Sequence, residues 1–363
     1  MTDCLIIGGG LLGMLSAREL ARAGAKVTLL ERGEVGREAS WAGGGILSPL
    51  HPWQAPDSVT ALAQWSQQYY PQLAQDLLDK TGIDPEFTQS GLLILADHED
   101  VGAEAWAAST HTRLERINSG DLARYEPALA GCAERAWWLP QVAQIRSPRL
   151  LQALQQDLLQ KGVEIKEHTE VIGIQAQAGR VTGVETVQGR LTADQVVVAG
   201  GAWSGKLLHG LGYDLPIVPV AGQMILFQAC PGMLSRIVVK QDRYLIPRRD
   251  GRIVVGSTVE QTGFEKITTE EALRDLQQAA LALLPGLADY RVEHHWAGLR
   301  PGAPQGVPFI GPHPMIRGLY INTGHFRNGL TLAPASARLL ADRMSGAPPV
   351  IDPEPYRLDR LSQ

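Results

Sequence analysis

Three glycines near the start of the chain have the spacing of a dinucleotide-binding turn. Gly8, Gly10 and Gly13 follow a short apolar stretch and precede a run of helical character. In such a turn the first glycine permits a sharp bend, the second lets the backbone approach a pyrophosphate, and the third lets the helix pack against the strand. The N-terminus of the helix offers free N–H groups and a positive dipole end to the phosphates. The spacing therefore predicts a dinucleotide site, although a packed βαβ unit that binds nothing is the alternative.

An acidic residue follows at the distance that such a site requires. Glu31 stands 18 residues after Gly13, at the end of a second apolar stretch, near the ~20 expected of a carboxylate that bonds a ribose hydroxyl. Arg32 comes next and by itself would favour a 2′-phosphate, but Glu31 would repel that group. A cofactor without this phosphate is favoured. These residues alone do not distinguish FAD from NAD.

A second glycine-rich run follows at residues 39–46, and it includes Ser40. Backbone amides in such a run can wrap a nucleotide, and the Ser40 hydroxyl can donate to a phosphate. A flexible surface loop is the alternative interpretation. Two further stretches repeat the order of strand, glycine-rich loop and helix, at residues 195–204 and 319–344. Since such loops follow the ends of parallel strands, we expect them to face one crevice.

The elements that position these residues fall into two kinds of segment. The strand–loop–helix units occupy 1–50, 145–215 and 297–363, and we expect them to form one α/β domain with a doubly wound, Rossmann-like sheet that binds the cofactor. The segments 51–144 and 216–296 are predicted to form an antiparallel-sheet domain that binds the substrate. Because the two kinds of segment alternate along the chain, the domains are interleaved and the class is mixed α/β and α+β.

Local signals predict several element ends. Ser147 before Pro148 is typical of a helix start with serine as N-cap. Thr268 and Glu271 have the spacing of a capping box. A strand is predicted over 292–296.

The helical runs predict which side chains are buried. In the first helix the leucines are expected to face the sheet, and Arg18, Glu19 and Arg22 are expected to face solvent. In a predicted helix at 58–80, three aromatic residues at helical spacing are interpreted as core, namely Trp65, Tyr69 and Tyr70.

Composition excludes several classes of protein. The 363 residues include 33 basic and 38 acidic ones, for a net charge of −5, without a basic patch, so nucleic acid is not expected as a partner. The three cysteines, Cys4, Cys132 and Cys230, have neither a metal-binding nor a disulfide spacing. No apolar run reaches the ~18 residues of a membrane helix, and the glycine turn begins too early for a signal peptide. We therefore expect a cytoplasmic protein without a membrane partner or a bound metal.

Taken together, the motifs resemble the D-amino-acid oxidase family of flavoproteins over nearly the whole chain. The glycine turn with Glu31 and the run at 39–46 contribute, as do Gly200-Gly201-Ala202-Trp203-Ser204, Gly298-Leu299-Arg300-Pro301 and Gly324-His325-Phe326-Arg327-Asn328-Gly329. The bacterial members that oxidise glycine for thiamine biosynthesis are the most similar. The resemblance implies FAD as cofactor. Monomeric sarcosine oxidases, a related group, tether their flavin to a cysteine in the C-terminal half of the chain. No cysteine follows Cys230 here, so non-covalent FAD is expected.

The resemblance also implies roles for individual residues. Arg300 would bind the substrate carboxylate, Arg327 would be a second substrate-side arginine, and Tyr244 would line the substrate pocket. The residues implied in FAD binding are Gly8, Gly10, Leu11, Leu12, Gly13, Glu31, Arg32, Ala39, Ser40, Gly44, Gly45, Ile46, Val171, Gly200, His325, Phe326, Arg327, Asn328, Gly329, Leu330 and Thr331.

Elementary chemistry agrees with these roles. A guanidinium group binds a carboxylate in a bidentate manner, which fixes one orientation of an amino acid and aims its α-hydrogen at flavin N5. Hydride transfer to a flavin needs no obligatory acid or base from the protein. The final helix, starting near Gly329, would point its positive end at the flavin. The alternatives are structural roles: Arg300 and Arg327 would be solvated at the surface, Tyr244 would pack in the core, and His325 would cap a turn.

The resemblance implies oxidative deamination of glycine, sarcosine and D-alanine, with O₂ as acceptor and glyoxylate, ammonia and H₂O₂ as products of the glycine reaction. It also implies a homotetramer and the hand-over of iminoacetate to thiazole synthase. A D-amino-acid dehydrogenase that uses a quinone is one alternative. A non-catalytic dinucleotide-binding protein is another.

Overall fold

The computed structural model describes residues 3–96, 101–129 and 132–361. Residues 97–100 and 130–131, which fall within the predicted substrate domain, lie outside this part, as do 1–2 and 362–363. The strands, in chain order, are β1 (Asp3–Ile7), β2 (Lys26–Leu30), β3 (Leu92–Ala96), β4 (Glu115–Asn118), β5 (Arg135–Leu139), β6 (Glu164–Lys166), β7 (Val171–Gln177), β8 (Arg180–Thr186), β9 (Gly189–Thr192), β10 (Gln195–Val198), β11 (Val218–Phe227), β12 (Ile237–Lys240), β13 (Arg243–Pro247), β14 (Ile253–Gly256), β15 (Val292–Gly302), β16 (Phe309–Pro312) and β17 (Leu319–Thr323).

The α-helices, in chain order, are α1 (Leu11–Arg22), α2 (Ala39–Ala42), α3 (Asp57–Thr81), α4 (Ala103–Thr110), α5 (Ser119–Tyr125), α6 (Ser147–Gln160), α7 (Ser204–His209), α8 (Glu270–Leu283) and α9 (Gly329–Ser345). Among residues 3–96, 101–129 and 132–361, no helix combines the length and hydropathy that a membrane crossing requires.

The glycine turn belongs to a six-stranded sheet with the order β16-β17-β10-β1-β2-β6. The neighbours from β17 to β6 are parallel, and β16 adds an antiparallel edge. Alternate residues of β1 bury opposite faces, as the period of a strand requires. Ile6 packs with α1, α3, α6 and α9, whereas Leu5 and Ile7 pack with the small sheet β7-β8-β9. The six-stranded sheet is therefore largely parallel and covered on both faces, which confirms the predicted doubly wound arrangement.

The second large sheet has eight strands in the order β15-β11-β14-β13-β12-β3-β5-β4. Its neighbours are antiparallel, as predicted, except for β12 and β3, which run parallel. The long strands β11 and β15 pair from Val218 opposite Gly302 to Phe227 opposite Val292. Helix α8 packs on one face and closes a separate apolar core.

The strand predicted over 292–296 is longer than expected. It continues as β15 to Gly302, so Arg300 lies within a strand, opposite Val220. Residues 297–302 therefore pair in the eight-stranded sheet, whereas the sequence predicts them in the cofactor-binding domain. The partner strand β11 is distant in sequence, and the glycines and the proline of this stretch are not typical of a strand, so the local sequence does not predict the pairing. The division into domains otherwise remains a prediction.

Two predicted helix caps are displaced by one residue. The hydroxyl of Ser147 lies inside the first turn of α6 and donates to the carbonyl of Gly43 at 2.7 Å instead of capping the helix. Helix α8 is capped by Thr269, whose hydroxyl accepts from the amide of Ala272 at 3.2 Å. The Thr268–Glu271 box therefore does not form.

Arg18 is buried, contrary to the prediction that it faces solvent. It is completely enclosed and donates from Nε to the buried carboxylate of Asp157 on α6 at 2.9 Å, and from Nη1 to the hydroxyl of Tyr69 at 3.1 Å. The partners come from distant segments, so the local helical pattern does not contain them. Tyr70 is fully buried as predicted, and Trp65 and Tyr69 are half-buried against the same core, with their rings stacked at 5.3 Å.

Candidate active site

A cavity of about 490 Å³ lies between the carboxyl ends of the parallel strands and the face of the eight-stranded sheet. The ends of β1 and β2 reach it at Ile7 and Leu30. From the other sheet, Met224 of β11, Tyr244 of β13 and Arg300 of β15 line it. One cavity thus joins the glycine turn to the arginine, which lie far apart in the sequence.

The glycine turn is shaped by two close approaches. Gly8 has φ +109°, and a Cβ there would lie 2.4 Å from the carbonyl oxygen of Ala199. A Cβ on Gly13 would lie 1.9 Å from the carbonyl oxygen of Gly8. Gly13 does not line the cavity but lets α1 pack against β1, which is the role that the spacing predicts. Gly10 is the N-cap of α1 and has no side chain to accept from the first turn, and this end of the helix opens to the cavity.

Glu31 braces the turn from the end of β2. One carboxylate oxygen accepts from the amide of Gly9 at 2.8 Å, and the other accepts from the amide of Gly33 at 2.9 Å. The side chain is buried and lines the cavity. Because a carboxylate oxygen has two lone-pair directions, Glu31 can hold these amides and still accept from a ribose hydroxyl.

The positive charge of Arg32 is stabilised by an acidic and an aromatic neighbour. It pairs with Glu38 at 2.8 Å and lies over the ring of Trp203, 3.6 Å from the ring centroid. Such stacking on an aromatic face is favourable for a guanidinium group. Trp203 follows the Gly200 turn, and both line the cavity with Lys206.

The second glycine run forms the middle wall. The Ser40 hydroxyl accepts from the Leu11 amide at 2.9 Å, so it ties this run to the start of α1 and keeps its own proton available to a ligand. A Cβ on Gly45, whose φ is +88°, would lie 1.9 Å from the carbonyl oxygen of Ile145. Gly44 similarly leaves room for Tyr244, whose ring would meet a Cβ there at 3.2 Å.

Arg248 holds this wall in place, and the sequence did not single it out. Its Nη2 donates to the carbonyl of Gly44 at 2.6 Å, and its Nη1 donates to the side chain of Gln144 at 2.9 Å and to the carbonyl of Ile145 at 3.3 Å. Burial, together with the charge of Arg146, lowers the pKa of Arg248 to about 10, which leaves the group charged at neutral pH.

His325 is a neutral structural histidine at the edge of the cavity. It is 1 % exposed, and burial lowers the pKa of its ring to about 3. Its Nε2 lies 2.9 Å from the Ser336 hydroxyl, which itself donates to the carbonyl of Leu332. Because the serine proton is committed, Nε2 carries the histidine proton. The ring is therefore not poised to accept a substrate proton through Nε2.

The N-terminus of α9 opens into the cavity at Gly329 and Leu330 and has no side-chain cap. Tyr70 donates to the carbonyl of Leu330, and the Thr331 hydroxyl donates to the carbonyl of Ile46 at 3.2 Å. Thr331 does not line the cavity, so the structure gives it a supporting position behind the wall. An uncapped helix N-terminus can stabilise negative charge on a ligand.

Arg300 is held rigidly at the far end. Its Nη1 donates to the carbonyls of Ala221 at 3.1 Å and Thr258 at 3.2 Å, and its Nη2 donates to the Ser257 hydroxyl at 2.8 Å. A Cβ on Gly222 would lie 2.1 Å from Nη1, so only glycine leaves room for the guanidinium group. Burial is the main cause that lowers the pKa of Arg300 from its usual value, and the neighbouring Tyr244 acts in the opposite direction.

Arg327 and Tyr244 complete this end. Arg327 donates from Nη1 to Asp242 at 3.1 Å. The hydroxyl of Tyr244 lies 3.8 Å from the sulfur of Met224. A Cβ on Gly256 would lie 2.6 Å from that hydroxyl, so glycine leaves room for the tyrosine ring. The structure thus brings Arg300, Arg327 and Tyr244 to one wall, as the sequence predicts.

The cavity contains nearly all the predicted site residues. Every predicted substrate residue lines it, and every predicted cofactor residue except Gly13 and Thr331 does so, including Leu12, Ala39, Val171, Phe326 and Asn328. Residues that the sequence did not assign include Glu38, Gly43, Ser48, Leu50, Glu170, Lys206, Gly222, Met224 and Ser257. Of these, Gly222 could have been predicted from the sequence, because a glycine inside a strand often marks a place where another group approaches the backbone closely.

The glycine turn, the N-terminus of α9 and the fixed guanidinium group of Arg300 line one cavity, and this arrangement is typical of a dinucleotide-dependent enzyme. The chain matches the family DAO, FAD dependent oxidoreductase, over residues 3–343, and it belongs to that family. The sequence resemblance is therefore confirmed, and FAD is the cofactor of the family.

Known relatives cover nearly the whole chain. It is 52 % identical over 354 residues to glycine oxidase of Pseudomonas aeruginosa, with 97 % of each chain covered. It is 34 % identical to the bifunctional protein ThiO/ThiG of Synechocystis sp., over 94 % of this chain and 51 % of that protein. The crystal structure of glycine oxidase from Geobacillus kaustophilus superposes with a TM-score of 0.94 at 28 % identity, over 99 % of both chains.

Proposed function

We propose that the protein is an FAD-dependent glycine oxidase that also oxidises other small amino acids and amines such as sarcosine and D-alanine. In the glycine reaction, two electrons and two protons leave the C–N unit, O₂ becomes H₂O₂, and water releases glyoxylate and ammonia from the imine. The observation that carries the proposal is Arg300, held by three hydrogen bonds in the cavity that the glycine turn opens. The name of the Pseudomonas relative supports the substrate.

The residues fit FAD along the length of the cavity. We assign the ADP part to the glycine turn, to Glu31 and Arg32, and to Val171, and the flavin part to the run at 44–46 and to the loop at 325–330. The Ser40 hydroxyl, whose proton is available to a ligand, and the N-terminus of α9 support this assignment, because both face the cavity and can bind anionic groups of FAD. None of the three cysteines lines the cavity, which supports non-covalent binding.

Bound FAD supplies the two-electron acceptor, and the protein supplies position. Arg300 anchors the substrate carboxylate in a bidentate manner, and the fixed guanidinium group limits the poses of a small amino acid. Tyr244 and Arg327 border the same space. His325 stays neutral over the working pH range, so the amine proton leaves without this ring as its acceptor.

The name of one relative suggests which reaction consumes the imine product. The Synechocystis relative bears the name ThiO/ThiG and is about twice as long as this chain, which supports an imine product that feeds thiazole formation for thiamine. We therefore propose hand-over of iminoacetate to thiazole synthase. The homotetramer and the cytoplasmic location stay predictions. Sedimentation of the purified protein measures the first.

The direct test is an H₂O₂ assay of the purified, FAD-loaded protein with glycine, sarcosine and D-alanine. We expect one H₂O₂ per glyoxylate formed from glycine. Faster oxidation of D-phenylalanine than of glycine or sarcosine would contradict the substrate. Quinone reduction without O₂ consumption would identify a dehydrogenase instead, and a protein that purifies without flavin absorbance would contradict the cofactor.

A further inference from the structure

The substrate end of the cavity carries more positive charge than one carboxylate requires. Arg300 and Arg327 both line it. Burial lowers the pKa of Arg300, and the charge of Arg327 acts in the same direction, so the two groups are close enough to repel each other. A monocarboxylate on Arg300 leaves Arg327 without a ligand partner.

The nitrogens of Arg327 are in unequal situations. Nη1 is paired with Asp242 at 3.1 Å, whereas Nη2 is buried and has no hydrogen-bond partner among the described residues. An unsatisfied buried donor on a charged group is costly, so this nitrogen favours an acceptor from a ligand. Asp242 is 69 % exposed, and an ion pair with such an exposed partner is weak.

Asp242 does not line the cavity but contacts it through Arg327. It lies in the tight connection between β12 and β13, two residues before Tyr244. The carbonyl of the preceding residue, Gln241, lies 3.0 Å from Nε2 of His51 on the opposite segment. The turn is therefore tied to two other segments, at Gln241 and at Asp242, and the carboxylate of Asp242 is the internal counter-ion of Arg327.

We propose that Asp242 determines the selectivity of this site between monocarboxylic and dicarboxylic amines. The inference rests on the proposed function. A dicarboxylic amine such as N-(carboxymethyl)glycine places one carboxylate on Arg300 and offers the other to Nη2 of Arg327. The carboxylate of Asp242 opposes this second contact, because it occupies Nη1 and repels an incoming anion. The oxidation is unchanged: two electrons and two protons leave one C–N unit, O₂ becomes H₂O₂, and water releases glyoxylate and glycine from the imine.

The test compares two secondary amines that differ by one carboxylate. Sarcosine and N-(carboxymethyl)glycine are assayed by H₂O₂ production with the wild-type enzyme and with Asp242→Asn. We expect the variant to raise kcat/KM for the dicarboxylic amine by ~10-fold relative to sarcosine, through loss of one repulsive charge. Combining Asp242→Asn with Arg327→Gln is expected to abolish this gain.

Asp214→Asn is the matched control, because it removes the same charge from an exposed residue that pairs with His209 and not with an arginine of the cavity. An unchanged ratio in Asp242→Asn, or an equal gain in the control, would overturn the proposal. Binding of malonate and of acetate, followed by the flavin absorbance, is the second measurement. Tighter malonate binding in Asp242→Asn supports the selectivity even if neither amine is oxidised, which would contradict only the proposed function. An unchanged preference between the two acids contradicts the role of Asp242.

Discussion

Replacement of Arg300 by alanine removes the group on which the proposed reaction depends. Two charge-assisted bonds to the substrate carboxylate, each worth ~1.5 kcal/mol, give a loss of ~3 kcal/mol, which corresponds to a rise in KM for glycine of ~100-fold. Arg300→Lys keeps the charge but cannot form the bidentate contact, so we expect an intermediate loss of ~10-fold. H₂O₂ production over a range of glycine concentrations measures both variants.

A neutral analogue distinguishes carboxylate binding from general damage. The variants also lose the donors that hold Ala221, Ser257 and Thr258, so flavin content and melting temperature are measured in parallel. Glycinamide lacks the carboxylate, and its low activity is expected to change by less than ~3-fold, since Arg300 makes no charge-assisted bond to it. An equal loss for glycine and glycinamide, or unchanged glycine kinetics, would refute the assignment of Arg300.

Three further changes test the support of the site and of the fold. Gly222→Ala places a Cβ about 2 Å from the guanidinium group of Arg300, so KM for glycine is expected to rise by ~10-fold while the Kd for FAD stays unchanged; a parallel loss of FAD would contradict this. Arg248→Met removes the donors that hold the second glycine run, and loss of one charge-assisted bond of ~1.5 kcal/mol weakens FAD binding by ~10-fold in a fluorescence titration. Asp157→Asn breaks the buried ion pair with Arg18 and is expected to lower the free energy of unfolding by ~3–5 kcal/mol at pH 7. Burial alone would raise the pKa of Asp157, but the hydrogen bonds and charges of its cationic neighbours hold it below its usual value. In the wild type, the contribution of Asp157 to the free energy of unfolding is thus present above the unfolded pKa and is lost as the pH falls through the folded pKa. Urea unfolding is expected to show this pH-dependent loss in the wild type and not in Asp157→Asn.

The glycine turn could be predicted from the sequence because its physics is local. The strand, turn and helix that hold Gly8, Gly10 and Gly13 lie within a few residues of one another, and the backbone conformation they require admits little else. Glu31 has the predicted position, but its bonds to the amides of Gly9 and Gly33 are a tertiary detail that the spacing does not contain.

The substrate end was less accessible to sequence reasoning because its contacts are distant along the chain. Arg300 bonds to the carbonyl of Ala221, 79 positions earlier, and its strand was hidden by neighbouring glycine and proline. Arg248 reaches the run at residue 44 across 204 positions. Only the family resemblance assigned Arg300 to the substrate, and it gave no sign of Arg248.

Anaerobic addition of glycine to the purified, FAD-containing enzyme tests most directly whether one cavity unites the cofactor with the amino acid. The oxidised flavin absorbance is expected to bleach, and oxygen is expected to restore it with one H₂O₂ released per flavin. The same addition to Arg300→Ala should bleach the flavin only at ~100-fold higher glycine concentrations. A flavin that stays oxidised in the wild-type enzyme at saturating glycine would contradict the account.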